Sequence, residues 1–185
     1  LADQDRDGVD IEIVFGNKGL HAFGTTDPGF SMAMCQAWND WAHDEFGAHQ
    51  DRILPMAQIP TLDVEAAVAE VERVANLGFR GVTIPAKPEY GPTGMDQRNY
   101  NQPEFEPLWS ALEDADLPLT IHVSTGRDPR AASGPGGAVI NYAVHCCAAS
   151  QEPVANLVAS GVLERHPNLR FATIEAGIGW VSWLL

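Results

Sequence analysis

Two side chains that can bind a metal or exchange protons stand at the ends of apolar, β-prone runs. His122 closes the run Leu117–His122, and Glu175 directly follows the run Leu169–Ile174. In α/β barrels the catalytic groups lie where parallel strands lead into loops. A neutral imidazole is a good Zn²⁺ ligand, and a carboxylate in such a place can act as a general base. We expect His122 to be a metal ligand and both residues to be catalytic.

Each of these two residues also has a structural interpretation. His122 could be a core histidine whose hydrogen bonds are satisfied, although its place at a strand end favours a functional role. Glu175 could be an acid of the first helical turn, where a negative charge is favoured by the positive end of the helix dipole.

Other polar residues are weaker candidates. Arg127 and Arg130 lie in the loop after His122, where a guanidinium could bind a substrate carboxylate through paired hydrogen bonds, although loop arginines are more often simply solvated. His21 follows the first predicted strand and could line the same face, but a surface position is the commoner outcome. Three further histidines have charged neighbours and are expected to be exposed: His43, His49 and His166.

Charge and cysteine content narrow the class of protein. The chain of 185 residues has 25 acidic and 11 basic residues and a formal net charge of −14, which excludes nucleic acid and anionic membranes as expected partners. Cys35, Cys146 and Cys147 have no zinc-like spacing, which indicates a reducing, cytoplasmic location. His145 adjoins two of these cysteines, but neighbouring helical residues do not face each other, so a catalytic Cys–His pair is not expected.

The apolar patterns predict alternating strands and helices. The five predicted strands are Val9–Phe15, Arg52–Ile59, Phe79–Ile84, Leu117–His122 and Leu169–Ile174. Strict alternation implies parallel strands joined by right-handed crossovers. An open doubly wound sheet and a (β/α)8 barrel are both compatible with this alternation. No Gly-rich phosphate fingerprint follows the first strand, which makes the open doubly wound sheet the weaker alternative. Five units make up about five-eighths of a barrel.

Capping residues and prolines predict where the helices begin and where one of them is interrupted. Asp27 and Asp63 are predicted N-caps, and Pro103 begins a third helix. A helical region is expected over about 138–160, kinked or restarted at Pro153. A last helix is predicted to begin near Ile178. The expected buried face of the first of these helices consists of Phe30, Met34, Ala37, Trp38 and Trp41. Trp38, Trp41 and Trp109 are expected in the core.

Several segments together resemble one family, the amidohydrolase-related metal-dependent hydrolases that include aminocarboxymuconate semialdehyde decarboxylase. The segments are Ala37–Trp41, Asp51–Ala57, Leu77–Val82, Leu117–His122 and Ser160–Arg170. The resemblance implies an α/β fold of the (β/α)8 TIM-barrel type with a divalent metal at the C-terminal face. It makes residues 1–185 a partial barrel domain covering about strands two to six, with His122 as the strand-five ligand.

The resemblance also implies what the chain lacks and what it does. The first-strand His-x-His or Glu-x-His pair would precede Leu1, and the strand-eight aspartate would follow Leu185. The strand-six position, often a histidine in the family, is Glu175 here. The implied activity is that of a metal-dependent hydrolase or a non-oxidative decarboxylase of a small carboxylated substrate, with zinc as the expected metal and manganese as the alternative.

The expectations for this chain alone are different from those for the longer protein. One histidine cannot hold a metal tightly, so the 185-residue piece is expected to be inactive, and its unpaired sheet edges are expected to promote homo-oligomers or aggregation. The alternative is a non-catalytic binding or structural protein derived from a barrel.

Overall fold

The described part of the chain forms six short parallel strands, with helices between all of them except the second and third. The computed structural model describes residues 1–89, 98–123, 125 and 132–185, and only the backbone of residues 146 and 147. The strands are β1 (Glu12–Val14), β2 (Ile53–Pro55), β3 (Ala57–Gln58), β4 (Val82–Ile84), β5 (Leu119–His122) and β6 (Phe171–Ile174). The α-helices are α1 (Ala2–Asp7), α2 (Pro28–Phe46), α3 (Val64–Asn76), α4 (Glu106–Asp114), α5 (Gly137–Ile140), α6 (Cys147–Ala159), α7 (Val162–Arg165) and α8 (Val181–Leu184).

The strands lie side by side in the order of the chain. β1 pairs with β2, and the second sheet has the order β3-β4-β5-β6, all parallel. Met56 alone separates β2 from β3, and its amide donates to Val14 while the amide of Ala57 donates to Gly81. One extended segment therefore joins both sheets, and the predicted parallel alternation of strands and helices is confirmed.

The larger sheet has one polar and one apolar face. Gln58, Thr83 and Thr120 are matched in register across β3, β4 and β5, and His122 lies two residues after Thr120, so all four side chains project from the same face. The hydroxyls of Thr83 and Thr120 are 2.7 Å apart. Since the Thr120 hydroxyl donates to the carbonyl of Val82, its one proton is used there and Thr83 must be the donor.

The opposite face of this sheet carries the main core. Ile84 and Ile121 project there and are fully buried with residues of α3 and α4. The predicted stripe of α3 is confirmed: Ala67, Val71 and Val74 are buried, while Val64 and Val68 are half-buried. The predicted face of the third helix is confirmed as well, since its buried residues are Phe105, Leu108, Trp109 and Leu112. Both helices thus cover the sheet as the sequence predicts.

The buried face of α2 differs from the prediction. Phe30 is 57% exposed and Trp41 50% exposed. The prediction that Trp41 lies in the core is therefore wrong. The buried residues are Ser31, Cys35, Asn39 and Ala42. The reason is hydrogen bonding with the backbone of Gln58. The Asn39 side chain donates to the backbone carbonyl of Gln58 at 3.0 Å and accepts from its backbone N–H at 2.7 Å. A buried polar pair with β3 therefore sets the orientation of α2.

Two more predictions are wrong in detail. Pro153 lies inside α6, and the irregular part of this region is the π-helical segment Asn141–Cys146. His166 is 8% exposed rather than on the surface. Its Nε2 lies 3.0 Å from Glu106 and its Nδ1 3.1 Å from Glu113, both on α4. The ring can be buried because these two carboxylates provide hydrogen-bond partners for both of its nitrogens.

No helix among the described residues has the length and apolar character that a membrane span requires.

Candidate active site

One open pocket of about 390 Å³ lies where strands lead into loops, and its lining residues are Phe15, Asn17, Leu20, His21, His122 and Glu175. Phe15 directly follows β1, His122 is the last residue of β5, and Glu175 directly follows β6. Because all strands are parallel, their C-terminal ends meet at one edge, where barrel enzymes carry their catalytic groups. The sequence-predicted pair His122 and Glu175 is thus brought into one pocket.

The imidazole of His122 is held with one nitrogen available to the pocket. Its side chain is 13% exposed, and Nδ1 lies 2.6 Å from the carbonyl oxygen of Val123. A carbonyl oxygen only accepts, so Nδ1 carries a hydrogen, and in the neutral ring the lone pair is on Nε2. The ring of Phe15 packs against the imidazole with the ring centroids 5.2 Å apart. This is the tautomer in which a histidine can bind a metal through Nε2.

Glu175 approaches that nitrogen from an unusual backbone conformation. Its φ is 58°, in the left-handed region that residues other than glycine rarely adopt. Its side chain is 68% exposed, and Oε1 lies 3.6 Å from Nε2 of His122. This separation is longer than a hydrogen bond. The strained turn after β6 therefore directs a carboxylate toward the imidazole without bonding to it.

The donor atoms fit a divalent metal in part. Within the described ranges, no three His, Cys, Asp or Glu side chains form a group that could hold a metal ion. Two ligands of a tetrahedral ion at about 2.1 Å are roughly 3.4 Å apart, close to the 3.6 Å between Nε2 of His122 and Oε1 of Glu175. A lone pair and a carboxylate oxygen at this distance suit a shared cation, but further ligands are needed for tight binding.

The remaining lining residues come from the segment after β1, which forms the 3-10 helix Asn17–Gly24. It packs on α2: Leu20, Ala22 and Phe23 are buried against Cys35, and the Ser31 hydroxyl donates to the carbonyl of Ala22 at 2.9 Å. Burial raises the pKa of the Cys35 thiol to about 12, so this cysteine stays protonated at neutral pH and is no nucleophile.

His21 is exposed and also lines the pocket. The two predicted alternatives, a surface position and a place on the same face as His122, are therefore both observed. Sequence reasoning missed Phe15, Asn17 and Leu20. Their position directly after the first strand was the available signal, because in a parallel sheet such a segment lies beside the other strand ends.

Behind this segment lies the side chain of Gln58, which is 1% exposed. Neither atom of its amide group has a hydrogen-bond partner among the described residues. A Cβ added at Gly16 would lie 2.4 Å from Nε2 of Gln58, and one added at Gly19 would lie 2.8 Å from it. A larger residue at either position would therefore require the Gln58 side chain to move.

Arg127 and Arg130, the predicted substrate-binding residues, lie outside the described residues. Their assignment therefore stays a prediction.

Comparison with known proteins identifies relatives with decarboxylase names. A gamma-resorcylate decarboxylase from Rhizobium sp. (strain MTP-10005) is 29% identical over 157 residues, which are 78% of this chain and 45% of the relative. The chain thus spans about half the length of the curated relatives it matches.

Solved structures share the fold. An amidohydrolase from Mycobacterium avium subsp. paratuberculosis K-10 has a TM-score of 0.77 at 22% identity, covering 99% of this chain and 48% of that protein. The 5-carboxyvanillate decarboxylase of Novosphingobium aromaticivorans, solved with manganese and 3-methoxy-4-hydroxy-5-nitrobenzoic acid, has a TM-score of 0.74 at 22% identity, covering 99% and 51%. The predicted α/β barrel-type fold is confirmed.

The model of the amidohydrolase family matches residues 1–185. Because this match covers every residue of the chain, the chain belongs to the amidohydrolase family.

Proposed function

We propose that the protein containing this chain is a metal-dependent decarboxylase of a small aromatic carboxylate. The observation that carries the proposal is the approach of Glu175 to Nε2 of His122 in a pocket at the strand ends. The decarboxylase names of the relatives favour this reaction over hydrolysis. The manganese in one related structure supports a divalent cation, with zinc as the alternative.

His122 is assigned as a metal ligand through Nε2, because Nδ1–H donates to the carbonyl of Val123 and keeps the lone pair on Nε2. When bound, a divalent cation would hold and polarise an oxygen of the substrate. The ring of Phe15 restricts the rotation of the imidazole from one side. The remaining ligands would come from residues other than those described.

Glu175 is assigned as the proton carrier, since it is the carboxyl group among the residues that line the pocket. Decarboxylation replaces a C–C bond by a C–H bond, so the ring carbon that bears the carboxylate must gain a proton. A proton held on the carboxyl group of Glu175 passes to that carbon. The C–C bond then breaks, its electron pair returns to the ring, and carbon dioxide leaves. Water restores the proton to Glu175.

The test is an assay of the complete protein with gamma-resorcylate and related aryl carboxylates, with Mn²⁺ or Zn²⁺ supplied. We expect carbon dioxide release that a chelator abolishes, and no cleavage of esters, lactones or amides. Hydrolysis without carbon dioxide release would favour the hydrolase instead. Absence of both activities with either metal would favour the non-catalytic binding protein.

Two variants separate the assigned roles. His122→Ala should lose bound metal and lower kcat/KM at least about 100-fold. Glu175→Gln should retain the metal and lower kcat by roughly 100-fold, with a smaller change in KM. Loss of the metal would instead identify Glu175 as the ligand that its 3.6 Å distance from Nε2 of His122 permits. His49→Ala, at an exposed histidine of the turn Gly47–His49, is the control and should leave both quantities unchanged. Full activity of His122→Ala would contradict the assignment.

A further inference from the structure

Four of the six residues that line the pocket come from one short segment, residues 15–21. This segment brings two apolar side chains, Phe15 and Leu20, and two polar ones, Asn17 and His21. The chemically assigned residues His122 and Glu175 come from the ends of β5 and β6 instead. The pocket therefore combines a part that can do chemistry with a part that the proposed reaction leaves unused.

The two polar side chains of this segment are available for a ligand. Asn17 and His21 are exposed, and neither side chain takes part in a hydrogen bond or ion pair with another described residue. Asn39 and His166 are different, because both have their side-chain atoms paired within the fold. An amide and an imidazole with open donors and acceptors at a pocket can each bond a ligand oxygen.

The apolar side chains suit a flat ring. Leu20 is 5% exposed, and Phe15 stands with its ring against the imidazole of His122. Phe15 and Leu20 line the same pocket as His122 and Glu175, so an aromatic ligand that lies against them would occupy the space that both parts share. Small-molecule sites commonly combine such apolar surface with a few polar groups that select orientation.

The segment is held in place before any ligand binds. Leu20 is buried in a cluster with Ala22 and Phe23 against Cys35, and the Ser31 hydroxyl bonds the carbonyl of Ala22. A preorganised binding surface loses less conformational entropy on binding than a mobile one. The positions of Asn17 and His21 are thus determined by the packing of the 3-10 helix on α2.

We propose that Asn17 and His21 form a subsite that hydrogen-bonds a ring hydroxyl of an aromatic carboxylate, with the ring against Phe15 and Leu20. The subsite determines which ring substitution the protein accepts. This inference rests on the proposed function, because it uses the same pocket and substrate class.

The test measures the binding of two probes to the complete protein by calorimetry: gamma-resorcylate, a benzoate with two ring hydroxyls, and benzoate, which has none. We expect the wild type to bind gamma-resorcylate more tightly. Asn17→Ala and His21→Ala should each weaken gamma-resorcylate binding about fivefold to tenfold, as the loss of one hydrogen bond implies, and should leave benzoate binding unchanged. His49→Ala is the matched control and should change neither affinity.

His21→Gln guards against a trivial loss of structure, because it keeps a hydrogen-bonding group and should retain most of the preference. Circular dichroism checks that each variant is folded. Equal weakening of both probes, or no weakening of gamma-resorcylate, would overturn the subsite. If the preference depends on Asn17 and His21 but the wild type releases no carbon dioxide, the subsite stands and the proposed reaction fails.

Discussion

The site residues show what a single sequence can reveal at the scale of one side chain. His122 and Glu175 could be predicted because each follows an apolar β-prone run, and strand ends meet at one edge of a parallel sheet. His166 could not be placed correctly. Its partners Glu113 and Glu106 lie 53 and 60 residues away along the chain, so no local pattern indicates its burial.

At the same scale, the left-handed backbone of Glu175 predicts an unusual response to glycine. Glu175→Gly should be more stable than Glu175→Ala by about 0.5–1 kcal/mol, because glycine has no penalty at φ 58° and only part of this gain is offset by its freer unfolded chain. Denaturant unfolding of both variants measures the difference in free energy of unfolding.

The same pair of substitutions at Glu72 provides the control. Glu72 is exposed on the helix α3, where glycine should be less stable than alanine by up to about 1 kcal/mol. If the two positions showed the same sign, backbone conformation at Glu175 would not be the cause.

At the scale of elements, the existence of strands and helices was easier to predict than their orientation. The strands β4 and β5 begin two or three residues later than expected, since hydrogen bonding to neighbouring strands and not apolar character defines their ends. The face of α2 was mispredicted because Asn39 and Ser31 form its buried polar contacts, and hydrophobic periodicity does not register such contacts. For α3 and α4, whose buried faces are mainly apolar, the same reasoning succeeded.

The contact between α4 and the approach to β6 should make stability depend on pH. The hydrogen bond from Arg165 holds the pKa of Glu106 below its ordinary value of 4.5, and the backbone amide of Asn168 does the same for Glu113. A carboxyl whose pKa is lowered by folding stabilises the fold above the ordinary pKa, and this stabilisation is lost as pH falls through the lowered value. We therefore expect the free energy of unfolding to decrease below about pH 4.5.

Urea unfolding between pH 3 and pH 7 measures this effect. Glu113→Gln should reduce the decrease, because an amide does not titrate, whereas Glu72→Gln should leave it as in the wild type. An unchanged pH profile for Glu113→Gln would mean that this contact does not contribute.

At the scale of the whole molecule, β1 and β6 are the outermost strands of the part of the chain that the structure describes. β1 pairs with β2 alone and β6 with β5 alone among the described residues. Ile11, directly before β1, and Ile13, within it, are 56% and 55% exposed. Unpaired strands with apolar side chains promote association with other chains. The order of the strands could be predicted from the sequence, whereas the exposure of Ile11 and Ile13 could be determined only from the structure.

The chain of 185 residues expressed alone is therefore expected to self-associate. Ile13→Lys should shift it toward the monomer, since a charge at a strand edge opposes pairing. Sedimentation velocity measures the distribution, with Val158→Lys on the exposed surface of α6 as the control that should change little. A sharp wild-type monomer would contradict the expectation.

The tight contact between Gly16 and Gln58 has a consequence for how this sequence can diverge. A Cβ at position 16 would lie 2.4 Å from Nε2 of Gln58 and 3.0 Å from two ring atoms of Trp38, so a larger residue there requires the buried Gln58 side chain to move and the Trp38 ring to shift slightly. A shorter residue at position 58 removes the closer of these contacts and leaves the one with the ring of Trp38. Among homologues, positions 16 and 58 should therefore covary, and reversing only one of two compensating substitutions should be deleterious.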